Sequence, residues 1–142
     1  MWGYYINLQQ ELADDLGAFA RWSWNDGQSE ISAFTDINAS LSAGLSIKGT
    51  RWGRPDDTLG VAGVINYISP QMQTFLSQGG TGILVGDGAL NYAPERALET
   101  YYAFKIIKGL IATADYQLLD NPAYNTLRGP VHAFAGRLRA TF

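Results

Sequence analysis

Read backwards from the carboxyl terminus in steps of two, residues 131–142 separate into two faces of opposite character. Phe142, Ala140, Leu138, Gly136, Phe134 and His132 fall on one face; Thr141, Arg139, Arg137, Ala135, Ala133 and Val131 fall on the other. A period of two over a dozen residues predicts a β-strand with a different medium on each side. Six further stretches alternate in the same way, at residues 4–12, 16–25, 39–52, 59–68, 95–107 and 111–120. Tyr4, Ile6 and Leu8 oppose Tyr5, Asn7, Gln9 and Glu11. Trp22 and Trp24 oppose Phe19 and Arg21, and Leu41, Leu45 and Ile47 oppose Ser40, Ser42, Ser46 and Lys48. Stretch 59–68 is less decisive because both of its faces are small or apolar; Asn66 sets Gly60, Ala62 and Val64 on the polar side. Leu98, Tyr102 and Phe104 then oppose Glu99, Tyr101 and Lys105, and Ala112, Ala114, Tyr116 and Leu118 oppose Thr113, Asp115 and Gln117.

The connections are short and long in turn. Matching faces across antiparallel neighbours requires paired residue numbers of even sum. The three short connections meet that requirement with Leu12 opposite Leu16, Trp52 opposite Thr58 and Ile107 opposite Ile111, the last through a three-residue turn, Lys108-Gly109-Leu110. The long connections are 26–38, 69–94 and 121–130, the second with a helical piece at 71–77. On this register Tyr4, Trp22, Trp24, Tyr67, Tyr102 and Tyr116 gather at the long-loop end, with Trp52 and Phe142 at the short-turn end. Two aromatic girdles around an apolar band, with short turns below and long loops above, are the pattern of transmembrane barrel strands. A soluble sheet has no reason to sort its aromatics this way.

Composition sharpens the picture. Hydrophobic residues make up 46% of the 142 and charged ones 16%, below the roughly one quarter usual in a soluble domain. The net charge of −3 argues against a nucleic-acid surface. Without cysteine there is neither a disulfide framework nor a thiolate metal site. No apolar run of about eighteen residues is present, so no helix is expected to cross a membrane. Met1-Trp-Gly-Tyr-Tyr-Ile leads straight into an alternating stretch with no signal peptide. For an outer-membrane protein this is the expectation for a piece of a longer chain.

Several segments resemble a known family. They are residues 14–21 (Asp-Asp-Leu-Gly-Ala-Phe-Ala-Arg), 48–57 (Lys-Gly-Thr-Arg-Trp-Gly-Arg-Pro-Asp-Asp), 99–102 (Glu-Thr-Tyr-Tyr), 115–117 (Asp-Tyr-Gln), 120–125 (Asp-Asn-Pro-Ala-Tyr-Asn) and 128–130 (Arg-Gly-Pro). Together they resemble the C-terminal part of the carbohydrate-selective porins, the OprB family. The resemblance implies an all-β, antiparallel outer-membrane barrel of about sixteen strands that lets glucose and similar monosaccharides diffuse passively. It implies outer-membrane lipid against the apolar face, and a terminal Phe142 read by the barrel-assembly machinery. No cofactor is called for. About seven strands cannot close an antiparallel barrel, since closure needs an even count. Residues 1–142 are therefore expected to be the C-terminal part of a single barrel domain.

On this reading the lumen face carries Arg137, Arg139, Arg21, Lys48, Lys105, Glu99, Asp115, Tyr101, Asn66 and Glu11, beside Tyr5, Asn7, Gln9 and Gln117. A sugar pathway needs donors and acceptors that match hydroxyls, and aromatic faces for the C–H surface of the ring. The competing role for these charges is to be solvated or paired across the wall, as Asp115 with Lys105 or an arginine. Residues 25–30 offer oxygen ligands but lack the EF-hand calcium pattern. The glycines at 79–82 and 86–88 lack the Gly-Lys-Ser/Thr of a phosphate loop. His132 is the only histidine and belongs at the lipid boundary, so no nucleophile–base set can be assembled and no enzyme is expected. The competing class is a soluble β-barrel or sandwich binding a small apolar ligand. There Trp22, Trp24, Leu45, Ile47, Phe104 and Phe134 would form a dry core. A third reading is a truncated fragment without activity.

Overall fold

Every alternating stretch forms a strand, and the seven pair in chain order into one antiparallel sheet. The computed structural model describes residues 2–28, 36–82 and 85–142. The strands are β1 (Gly3–Ala13), β2 (Leu16–Asn25), β3 (Ala39–Lys48), β4 (Thr58–Tyr67), β5 (Glu95–Ile107), β6 (Leu110–Asp120) and β7 (Val131–Ala140). Their registers carry the alternation of one strand into phase with the next. One hydrogen-bonded row runs Ile6, Trp22, Leu41, Ile65; the row beside it runs Asn7, Arg21, Ser42, Val64. Apolar and polar residues thus collect on opposite faces across the whole sheet, because a slip of one residue anywhere would exchange them.

The short connections depart from expectation in detail. β1 and β2 close with Ala13 opposite Leu16, after a register shift between Glu11 and Ala13, so Leu12 does not face Leu16. β5 and β6 close with Ile107 opposite Leu110, after a shift between Lys105 and Ile107, so Ile107 does not face Ile111. The turn is therefore Lys108-Gly109, two residues long, with Gly109 at φ 81°. Two-residue turns match the twist of the flanking strands, and the bulges absorb the odd residue. The third difference is larger. β3 stops at Lys48, which faces Thr58, and Gly49–Trp52 coil into a 3-10 turn instead of continuing to a Trp52–Thr58 pair. Gly49 allows this, since a Cβ there would stand 2.1 Å from the carbonyl oxygen of Arg54. Tyr102 consequently belongs to the short-turn girdle: its hydroxyl accepts from Trp52 Nε1 at 2.9 Å, and its ring stacks on Phe104 at 6.2 Å. At the other end Trp2, Tyr4 and Trp24 cluster at centroid distances of 5.3 to 6.1 Å. Tyr116 lies 2.8 Å from His132 Nδ1 through its hydroxyl.

The sheet has no second layer among the described residues, where the strands pack chiefly on their sequential neighbours. Trp22, Leu45 and Phe134 remain 39%, 45% and 79% exposed, so the dry core required by the soluble reading is not formed. An uncovered apolar face of this extent marks a surface that meets something other than water. Among the described residues the buried apolar side chains lie instead in the long loops, where Ile68, Leu76 and Tyr124 pack with Met72, Val85, Leu90 and Tyr92. The helix α1 (Pro70–Ser77) carries Leu76 into this cluster. It starts where Ser69 accepts from the backbone of Met72 and Pro70 takes the first turn, where its missing N–H is not needed. Among the described residues β1 and β7 each have a strand partner on one side only.

Candidate functional site

All ten of the charged and polar candidates project from the one polar face, and the registers sort them into levels. Nearest the short turns, Lys48 is joined through Thr58, Ala103 and Thr113 to Arg137. Lys105 is joined through Ile111 to Arg139. The next row on this face holds Glu11, Gly17, Ser46, Gly60, Tyr101 and Asp115. Same-face rows lie about 7 Å apart along a strand. A cationic level therefore stands at the short-turn rim, with an acidic and tyrosine-bearing level one step further in. Glu99 follows in the row of Phe19 and Gly44, then Arg21, and Asn66 last at the long-loop end. Opposite signs separated in this way set up a field along the strands on the polar face.

Several candidates are already engaged. Lys105 Nζ pairs with Asp56 at 2.9 Å and not with Asp115, so the expected pairing across the wall is replaced by one to the turn. Lys48 Nζ donates to the Asp14 carbonyl at 2.8 Å, and Arg21 Nε donates to Asn7 Oδ1 at 3.2 Å while its guanidinium lies 5.1 Å from the Phe19 ring centre. Asn66 is 9% exposed, held between Ser40 Oγ at 2.8 Å and Glu95 Oε1 at 3.4 Å. Glu99 accepts from Gln117 Nε2 at 3.4 Å. Arg137 and Arg139 stand exposed on β7.

The rim is tied together by the turn between β3 and β4. Asp57, 1% exposed, accepts from Arg54 Nε, from the Tyr102 hydroxyl at 2.6 Å and from the backbone N–H of Lys105 at 3.0 Å. Arg51 pairs with Asp15 in the preceding turn. One loop thus binds the β1–β2 turn on one side and β5 on the other. The Arg54 guanidinium holds the Asp57 carboxyl down to about 2, helped by Tyr102 and the Lys105 N–H against the opposing effect of burial. Arg51 likewise lowers Asp15. Replacing Tyr102 by Phe removes a hydrogen bond to a charged acceptor and should cost roughly 1.5–3 kcal/mol in unfolding free energy, read from urea titration. A loss no larger than that of an exposed surface tyrosine would show the hydroxyl to be dispensable.

At the opposite end the long loops brace one another. Asn25 Oδ1 accepts from the Gly27 N–H at 3.0 Å and from Asn38 Nδ2 at 2.7 Å, which is turn chemistry. Ser29 and Glu30 of the oxygen-rich stretch lie outside the described residues. Glu95 Oε2 accepts from the Ala123 N–H at 3.0 Å, and Arg128 pairs with Asp87 between the glycines of the second loop. Burial pushes the phenol of Tyr124 up, with Glu95 adding to the effect.

An open groove of about 390 Å³ crosses the polar face over the middle strands, lined by Gln9, Glu11, Phe19, Ser46, Lys48 and Tyr101 among others. Phe19 and the glycines beneath the aromatic rings were not singled out by residue type. Alternation puts them on the right face, but only the cross-strand register brings Gly44 beside Phe19 and Gly60 beside Tyr101.

A family model described as carbohydrate-selective porin, OprB family, matches residues 1–142. Neither the curated proteins nor the solved structures compared with the chain gave a match.

Proposed function

Since the chain belongs to the carbohydrate-selective porin family, we propose that its sheet is the C-terminal portion of an outer-membrane barrel wall through which glucose-like monosaccharides diffuse passively. Membership points to a channel rather than an enzyme, and to a bacterial outer-membrane location. The observation that carries the reading is the polarity of the sheet. Its apolar face, flanked by two aromatic girdles, has no protein cover among the described residues, while its polar face collects every candidate charge. Lipid hydrocarbon suits the first face and a wet passage the second. Further strands pairing with β1 and β7 close the barrel, and Phe142 serves as the mark read by the assembly machinery.

Fused to a secretion signal, the chain should stay with the membranes through a carbonate wash. Release into the supernatant would sink the reading and favour a soluble binder. In a closed barrel containing these strands, Arg137→Ala or Arg139→Ala should alter sugar flux measured by liposome swelling. Unchanged flux would leave the arginines as wall residues only. Refolded alone, the seven strands should give no single-channel steps; clear steps would mean that several copies assemble into one barrel.

A further inference from the structure

Two aromatic rings on the polar face lie down on glycines of the neighbouring strand. A Cβ built on Gly60 would stand 2.2, 2.4 and 2.8 Å from Cε1, Cζ and Cδ1 of Tyr101. Two flanking carbons nearly as close as the nearest one place that point above the ring plane over Cε1; an approach in the plane would leave both distinctly farther off. Gly60 is buried beneath the ring, so one face of Tyr101 rests on the wall and the other is turned to the groove. From the opposite side Phe19 leans over Gly44, where a Cβ would meet its Cε1 at 2.5 Å. Phe19 on β2 and Tyr101 on β5 are three strand spacings apart, about 14 Å. Gly44 and Gly60 lie beneath the two rings, and the floor left between them is Ser46 and Ala62.

The groove carries both signs and neutral donors: Glu11, Lys48, Gln9 and Ser46 all line it. A small anion would face Glu11, a cation would face Lys48, and an apolar molecule would leave these groups unpaired at a cost. A neutral ring with hydroxyls around its edge and C–H bonds on its faces satisfies all of them. Hydroxyls both donate and accept, matching carboxylate, amide and ammonium together. Polarised C–H bonds suit the negative face of an aromatic ring.

We infer that Tyr101, laid flat on Gly60, is the stacking platform of a pyranose subsite at the short-turn end of the lumen, with Phe19 as its far wall and Ser46 and Lys48 as its hydroxyl partners. The inference rests on the porin reading and specifies where on the wall the sugar is held. All of these residues lie on β2 to β5 or their ends, so the subsite does not wait on barrel closure.

The test is saturation-transfer NMR on the full chain in detergent micelles, irradiating aromatic protons with methyl β-D-glucopyranoside as the probe. Transfer should be strongest to the axial protons of one sugar face. In Tyr101→Leu it should fall by roughly three- to tenfold, the worth of one aromatic contact. Gly60→Ala should act likewise by pushing the ring off the wall, and Trp22→Phe on the opposite face should change nothing. Circular dichroism restricts the comparison to variants with unchanged strand content; where Gly60→Ala does not fold, Tyr101→Leu decides. Transfer that is absent, equal on both sugar faces or undiminished in folded Tyr101→Leu overturns the subsite. A chain that fails here yet withstands the carbonate wash leaves the porin reading standing, whereas a chain that the wash releases fails that reading itself.

Discussion

Leu98→Lys is expected to weaken membrane integration by about 2–4 kcal/mol, while Glu99→Lys, one residue further along the same strand, leaves it nearly unchanged. Leu98 points to the apolar face, in the row through Ala20, Ala43 and Gly63 that crosses the middles of β3 and β4. A lysine there must hold its ammonium in hydrocarbon or drag water to it. Glu99 points to the other face, beside Ala62 and Gln117. A lysine in that position meets water and the carboxylate of Asp115 in the adjacent row. The readout is the share of each variant retained in the carbonate-resistant membrane fraction. The reverse ranking, with Glu99→Lys the more damaging, would mean that the two faces have been assigned to the wrong media.

The second large effect is expected at Asp57. Asp57→Ala should cost more stability than any other single replacement in the turns, because it strands three donors at once: Arg54, the Tyr102 hydroxyl and the Lys105 N–H. A partner left without its acceptor in a closed setting costs more than the bond itself contributed. Asp57→Asn keeps one acceptor oxygen and loses the charge, so it should fall between Ala and wild type. A pH dependence follows. The folded carboxyl titrates at about 2 and its ordinary value is 3.8. A depressed folded value stabilises the protein above the unfolded one, and the contribution is lost as pH falls from 3.8 toward 2. The urea midpoint of the wild type should drop across that window, and the midpoint of Asp57→Asn should drop less. Parallel curves would remove Asp57 from its place as the tie between turn and strand.

Much of this architecture was legible before any coordinates. Alternation located all seven strands, because a side-chain period of two survives whatever lies beyond the strand. It also put Arg21, Glu99, Asp115, Arg137 and Arg139 on one face. The helix at Pro70–Ser77 was legible from its position in the long loop, one residue short at its start. Strand ends were not legible. Leu12, Trp52 and Ile107 continue the alternation by residue type, yet bulges and a 3-10 turn take them out of the expected pairs. Those local choices are settled by two-residue turn geometry and by the buried Asp57, a long-range contact that periodicity cannot register.

The chain's own order of residues determined which side of each strand is apolar and which is polar, since that is a property of neighbours along one backbone. Only the tertiary structure decided which side chains share a level: that Lys48 stands with Arg137, that Glu11 stands with Tyr101 and Asp115, and that Lys105 is spent on Asp56. Cross-strand partners lie dozens of residues apart, and their register depends on turns and bulges elsewhere in the sheet. The same reason hid the flat seat of Tyr101 on Gly60, which exists only once β4 and β5 are in register.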